Sequence, residues 1–207
     1  MNNKILQNID NYYTTKIIEN GATPKGVDWN SIESQELRFS ILAQILASKE
    51  NFSILDFGCG FGSMYEFYMK NGIKNFKYTG YDISKQMIIE AKNKYKANEN
   101  LVWCNNLNIE LEFDYVIASG IFNVKLEENN DDWLIYILDT LKLINQKSKK
   151  GFSFNILTKY SDKEHMRDYL FYADPLMLFD YCKSNFSKYV TLIHDYPLYE
   201  FTIIVRK

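Results

Sequence analysis

The chain is poor in the residues that build metal centres: it has two histidines and three cysteines in 207 residues, and Cys59, Cys104 and Cys182 form no CxxC pair. The spacing excludes a zinc framework, and the odd count argues against a disulfide-stapled scaffold, so no metal is expected and the thiols are read as buried or half-buried. An excess of positive charge is also missing. Lys and Arg number 24 against 26 Asp and Glu, for a net charge of −2, so broad electrostatic capture of nucleic acid is not indicated. Long apolar runs are absent as well: eighteen apolar residues never occur together, and residues 1–19 are polar and interrupted by charge, unlike a leader. These absences predict a soluble, cytoplasmic protein without a membrane partner. No repeat, low-complexity tract or Pro/Gly linker divides the sequence, and 207 residues at 46% hydrophobic suit one large core, so a single domain over 1–207 is expected.

What is abundant is aromatic: 16 Tyr, 14 Phe and 3 Trp, most of them expected in the core. Against that background one motif stands out. Ile54-Leu55-Asp56-Phe57-Gly58-Cys59-Gly60-Phe61-Gly62 is an apolar run that reaches a carboxylate and then places glycine at every second position. Glycines at a strand end let a ligand approach the backbone, and the amphipathic run from Ser63 presents helix N-terminal N–H groups beside it. A second run, Phe76-Lys77-Tyr78-Thr79-Gly80-Tyr81, ends on Asp82, at the spacing of a carboxylate that binds ribose hydroxyls. The two together indicate a nucleoside cofactor.

Charge selects among such cofactors. A dinucleotide fold would want its third glycine at position 63, which is Ser63, and Asp56 would repel a pyrophosphate. S-adenosylmethionine carries an ammonium and a sulfonium, which a carboxylate at the strand end suits, so it is preferred to NAD.

Short apolar runs at 54–57, 78–81, 101–104, 115–118 and 152–157 alternate with helical patterns at about 64–71, 85–97, 133–145 and 175–185, which predicts a parallel sheet. The last helix opens on Asp174-Pro175 as N-cap and first position. Two further runs, 189–194 and 198–205, are joined by Asp195-Tyr196-Pro197, too short for a crossover, and form an antiparallel hairpin. Residues 1–48, with a helical pattern at 34–47, are expected to cap or lid a cofactor-binding core at 49–207. Tyr12, Tyr13, Trp29, Gln35, Arg38 and Phe39 are candidates to close over the cofactor from that cap.

With the glycine loop, Asp82 and the terminal hairpin in hand, residues 46–207 resemble a class I S-adenosylmethionine-dependent methyltransferase. Thr23-Pro24-Lys25-Gly26-Val27-Asp28-Trp29, the stretch from Ala118 to Lys125, and Tyr172-Ala173-Asp174-Pro175 are similar to a bacterial branch of that family. The resemblance implies an α/β, Rossmann-like seven-stranded sheet of order 3-2-1-4-5-7-6, its last strand antiparallel, with helices on both faces. It implies Gly58, Gly60 and Gly62 around the methionine part of the cofactor, Asp56 near its amino group and Asp82 on the ribose. Ile83 and Met87 would flank adenine. Asn105 and Asn106 stand where the family often has an acidic residue and a small one at the adenine edge, a departure from the pattern. Ser119 and Gly120, with Ile121 and Phe122, would line the passage between sulfonium and substrate.

The expected function is methyl transfer to an oxygen or nitrogen of a small polar acceptor such as a sugar or sugar phosphate. The alternative is a protein or RNA substrate, and a partner subunit or a dinucleotide oxidoreductase is a third class. An Asn-Pro-Pro-Tyr type tetrapeptide is absent after the fourth strand, which lowers amino-base methylation. In-line methyl transfer needs placement and water exclusion above all, and a general base only for a poor nucleophile. Three residues at the carboxyl edge are candidates for that base: His194 after the sixth strand, and Tyr160 and His165 in the long loop after the fifth. That loop, residues 158–174, also carries Lys159 and Arg167, which would hold a phosphate.

Overall fold

The computed structural model describes residues 3–27, 31–107 and 110–207. Seven strands, β1 (Ser53–Phe57), β2 (Lys77–Tyr81), β3 (Leu101–Cys104), β4 (Phe113–Ala118), β5 (Ser148–Leu157), β6 (Tyr189–Ile193) and β7 (Glu200–Arg206), form one sheet in the order β3-β2-β1-β4-β5-β7-β6. β1 to β5 pair in parallel, and β7 runs antiparallel to both β5 and β6. The expected strand order, the hairpin and the placement of β7 are all present.

Among the described residues six α-helices surround the sheet: α1 (Asn3–Asn20), α2 (Ile32–Leu42), α3 (Ser63–Lys70), α4 (Lys85–Lys94), α5 (Asn130–Lys147) and α6 (Pro175–Asn185). Side-chain alternation along the strands divides the core in two. Leu55, Val116, Phe152, Phe154 and Ile203 face Trp133 and Ile137 of α5 and Leu178 of α6. Ile54, Tyr78, Ile117 and Ile204 face Phe39 of α2, Phe67 of α3 and Ile88 of α4. Capping sets where the helices begin: Ser84 Oγ accepts the Met87 N–H, Asn129 accepts the Asp132 N–H, and Asp174 accepts those of Leu176 and Met177 with Pro175 in the first turn.

Two differences from the sequence reading have physical reasons. β5 starts at Ser148 instead of 152 because Lys149 and Lys150 continue the strand with exposed side chains. Helix α1 was not anticipated, since its composition is polar; tertiary packing buries only a narrow stripe, Ile5, Ile9 and Ile17, with Tyr13 half-buried between them. The spacing of that stripe, four residues at each step, is the signal that would have revealed it. The helix expected at 34–47 is α2 followed by a short 3-10 turn at Ala43–Ile45.

Candidate functional site

A cavity of about 300 Å³ lies outside the carboxyl ends of β1, β2 and β4. This is where the strand order reverses in an open α/β sheet and where such sheets bind ligands. Asp56, Gly58, Gly60, Asp82, Ile83, Met87, Asn106, Ser119 and Gly120 line it. The sheet thus brings together nine of the eleven residues expected around the cofactor.

The other two lie elsewhere. Gly62 is the N-cap of α3 at φ 90°, and a Cβ there would sit 2.6 Å from the Trp103 ring, so this glycine serves helix entry and packing and does not line the cavity. Asn105 is exposed beyond the end of β3, also outside the lining. Gly58 is the residue whose backbone the cavity requires bare: φ is +85°, and a Cβ would lie 2.2 Å from Ile121 Cγ2.

The two carboxylates behave differently. Asp56 is buried and accepts a short hydrogen bond from the Tyr78 hydroxyl; burial pushes its pKa up to about 7 against that bond, and the Asp82 charge adds to the rise. Asp82 is 8% exposed; Oδ2 accepts the Gly60 N–H at 2.8 Å and Oδ1 accepts the Ser84 N–H at 2.9 Å. Burial pushes it up to about 6, with the Asp10 charge adding, although the two N–H groups favour the ionised form. A carboxylate oxygen can accept more than one hydrogen bond, so Asp82 shapes the loop and still presents lone pairs to a ligand. Cys59 is buried, and burial together with the Asp56 and Asp82 charges pushes its thiol up, as fits a structural cysteine.

The N-terminal elements cover this cavity. Leu6, Ile9 and Tyr13 of α1 line it, with Gln35 and Phe39 of α2. Thr14 on α1 hydrogen-bonds Ser84 at 2.6 Å, which ties the helix to the N-cap of α4 beside Asp82. Of the remaining cap candidates, Arg38 lines a neighbouring cavity, Tyr12 lines neither, and Trp29 falls outside the described residues. Val27, from the stretch that begins at Thr23, also lines the first cavity, as do Tyr136 and Leu143; nothing in the local sequence of the last two separates them from ordinary core residues.

That neighbouring cavity, about 420 Å³, shares Tyr13, Val27 and Gly120 with the first. Beneath the junction runs a buried polar chain. The Gly120 N–H donates to Asn155 Oδ1 at 2.8 Å, Asn155 Nδ2 donates to Glu200 Oε1 at 2.9 Å, and Arg38 Nε donates to Glu200 Oε2 at 2.7 Å. Asn155 and Glu200 lie inside strands and are fully buried, so the sequence offered only two polar residues in apolar runs as their signal.

His194, His165 and Tyr160, the candidate bases, are not brought to either cavity. All three are exposed, in tilted ring pairs at the surface: Tyr160 with His194 at 6.0 Å between ring centroids, His165 with Tyr199 at 5.4 Å. The long loop is anchored back on the fold through backbone bonds, Lys125 and Leu126 N–H to Tyr169 O and Phe171 N–H to Asn123 O. Those bonds turn Tyr169 and Leu170 toward the second cavity and leave the rest of the loop outside. Lys159 pairs with Asp174 at 2.7 Å, and Arg167 donates to the carbonyls of Glu164 and Met166, so neither meets the expected phosphate role within a cavity.

Comparison with known proteins gives this geometry a family. A model of the family described as "Methyltransferase domain" matches residues 55–143. The Mycobacterium tuberculosis (strain ATCC 25618 / H37Rv) protein named "Putative methyltransferase Rv1506c" is 46% identical over 164 residues, 79% of this chain and 98% of that protein. The chain belongs to the class I S-adenosylmethionine-dependent methyltransferases. The fold of this methyltransferase is similar to that of magnesium protoporphyrin IX methyltransferase from Synechocystis PCC 6803 with bound SAH, with a TM-score of 0.69 at 14% identity over 98% of this chain and 99% of that one. It is also similar to N-methyltransferase NodS from Bradyrhizobium japonicum WM9 in complex with S-adenosyl-l-homocysteine, with a TM-score of 0.62 at 12% identity over 96% and 98%.

The cofactor of this methyltransferase is S-adenosylmethionine, and the first cavity fits it chemically. Its described lining includes two carboxylates and no Lys, Arg or His, a balance that suits a cationic ligand. Ser119 Oγ, which is buried, has no hydrogen-bond partner among the described residues, so a polar group of a bound molecule would relieve it. Among the described residues no helix is long and apolar enough to cross a membrane, and no cluster of His, Cys, Asp and Glu could hold a metal.

Proposed function

We propose that this methyltransferase transfers a methyl group to an oxygen or nitrogen of a small polar acceptor, such as a sugar or sugar phosphate. The observation that carries the reading is the pair of adjoining cavities. One carries carboxylates at the cofactor end of the sheet. The other is lined largely by polar side chains, meets the first at Tyr13, Val27 and Gly120, and has the size of a small-molecule site.

In this reading Asp82 accepts from the ribose hydroxyls, Asp56 attracts the cofactor's ammonium, and the Gly58 to Gly60 backbone lies against the methionine part. Ile83 and Met87 flank adenine, and Asn106 meets its edge. Bound there, S-adenosylmethionine supplies an electrophilic methyl group on a sulfonium. The chain's own contribution is placement: Ser119 and Gly120 lie where the two cavities approach, α1 and α2 exclude water, and the Asn155–Glu200–Arg38 chain fixes Gly120. No histidine lines either cavity among the described residues, which favours a transfer driven by proximity over one that depends on a histidine base. The three free thiols suit a reducing compartment, the cytoplasm. Residues 1–48 act as the cap of one domain completed by 49–207.

The test is calorimetry with S-adenosylhomocysteine, followed by methyl transfer from labelled cofactor to a panel of sugars, sugar phosphates and small amines. Micromolar or tighter binding and a methylated small molecule support the reading. Labelling confined to protein or RNA would transfer the assignment to a macromolecular acceptor.

A further inference from the structure

Which oxygen of Asp56 meets a ligand is decided from outside the cavity. Asp56 lines the first cavity at the end of β1, and its Oδ2 accepts the hydroxyl of Tyr78, which is 1% exposed and does not line the cavity. Tyr78 pairs with Ile54 in the parallel register of β1 and β2, and side chains two residues apart share a face, so its ring reaches along the sheet to Asp56. That ring is held by others: Tyr65 and Tyr68 of α3 at 5.2 and 6.5 Å between centroids, Trp103 of β3 at 5.4 Å, and Phe76 at 6.3 Å. Gly80 stands directly opposite Asp56, and a Cβ there would lie 2.3 Å from the Trp103 ring, so the missing side chain is what lets this ring close the cage. The hydroxyl is thereby aimed before any ligand arrives.

The other groups facing Asp56 offer its charge no compensation. Asp82, at the end of β2, is of like sign, and Asp10 of α1 faces Asp82 in turn. Cys59 in the glycine loop and Tyr68 on α3 are buried, with thiol and phenol pushed up, so both stay neutral. Arg38 of α2 is committed to Glu200, and the described cavity lining holds no Lys, Arg or His. The Tyr78 phenol is itself pushed up by burial and by the Asp56 charge, so it keeps the proton it donates. A buried carboxyl beside a like charge ionises only with such a donor, and the ionised form is the one that attracts an ammonium.

We propose that Tyr78 is a positioning residue of the cofactor site: its hydroxyl holds Oδ2 of Asp56 from within the sheet, turns Oδ1 to the ammonium of S-adenosylmethionine, and supports the negative charge that the ammonium meets. This inference rests on the reading in which Asp56 attracts the ammonium, and it adds the residue that prepares Asp56 for that role. Tyr78 touches neither cofactor nor acceptor and acts through the carboxyl alone. Phenylalanine would fill the same cage and leave Asp56 without its donor.

The test is calorimetry on the parent, Tyr78→Phe, Asp56→Asn and the double variant with two probes. S-adenosylhomocysteine carries the ammonium; 5′-methylthioadenosine keeps the adenosine and the sulfur but lacks the amino-acid end. Tyr78→Phe should weaken S-adenosylhomocysteine about tenfold near neutral pH and leave 5′-methylthioadenosine unchanged, as expected for one lost hydrogen bond to a charged group. Without the donor the ionised carboxyl is disfavoured, so the rise of S-adenosylhomocysteine affinity with pH should move to higher pH, the variant approaching the parent by about pH 8.5. In the Asp56→Asn background Tyr78→Phe should change neither affinity further. The inference is overturned if the pH profiles of Tyr78→Phe and the parent superimpose, if both probes weaken equally, or if the two substitutions add independently. A parent that binds 5′-methylthioadenosine while Asp56→Asn leaves S-adenosylhomocysteine untouched would remove Asp56 from the ammonium and this inference with it. A folded parent that binds neither probe would instead defeat the methyl-transfer reading itself, so the failures are separable.

Discussion

The Asp82 carboxylate accepts the Gly60 N–H at 2.8 Å, so the carboxylate at the end of β2 holds the glycine loop that follows β1. Loop and strand tip form one unit, and a change at either should be felt at both.

Asp82→Ala should therefore weaken S-adenosylhomocysteine binding by more than one lost ribose contact, beyond about 1.5–3 kcal/mol for hydrogen bonds to a charged group. Asp82→Asn keeps an acceptor for only one of the two N–H groups and sets an NH₂ against the other, so it should fall between Ala and the parent. Calorimetry on the three proteins checks the order; equal affinity for Asn and Ala would mean that the loop does not depend on this carboxylate.

With Asp56 beside the cofactor's ammonium, as proposed, cofactor affinity should depend on pH. Burial raises its pKa from 3.8 in the free side chain to about 7, so in the folded protein it keeps its proton where the unfolded chain has lost it. The sign follows: this group favours folding most below the unfolded value, and that contribution is lost as pH rises from about 4 to about 7. A cationic ligand prefers the ionised form, so affinity should climb across the upper part of that window and level off above about pH 7. Titrations in buffers of different ionisation enthalpy should show proton release below the plateau, and Asp56→Asn should flatten the profile.

Gly58→Ala places a methyl group 2.2 Å from Ile121 Cγ2 at a backbone φ of +85°. The strain and overpacking should cost about 1–3 kcal/mol of stability, with loss of cofactor binding. Adding Ile121→Ala removes the clash but not the backbone strain, so the double variant should recover part of the loss. Thermal unfolding of the four proteins in a double-mutant cycle measures the share owed to contact.

Arg38→Met leaves Glu200 buried without its ion-pair partner, although Asn155 still donates to it, and should destabilise the protein by about 3–5 kcal/mol, typical of breaking a buried pair. Arg38→Met with Glu200→Gln removes the stranded charge and should regain most of that stability. Chemical denaturation reads both values; no recovery in the double variant would show that Arg38 acts through packing alone.

The sequence by itself determined the architecture. Alternating strand and helix patterns with a short final link allow little besides a parallel sheet closed by a hairpin, and the strands found at Ser53–Phe57, Lys77–Tyr81 and Leu101–Cys104 lie within a residue of their expected limits. It also determined that the glycine loop and Asp82 meet at one cavity, because a glycine loop and a carboxylate at fixed spacing are local features that β1, β2 and their loops carry into the fold unchanged. Only the tertiary structure decided the rest. Whether Gly62 faces a ligand or the Trp103 ring depends on how α3 packs against β3, whether His165 and Tyr160 point inward depends on how the long loop is tied to Asn123 and Lys125, and His194 stays outside because β6 is the edge strand. The second cavity draws Lys16, Lys25, Asn123 and Tyr169 from four places in the chain. No periodicity relates them; their proximity comes from burying one narrow stripe of α1 over the sheet edge and from the loop backbone finding its hydrogen bonds.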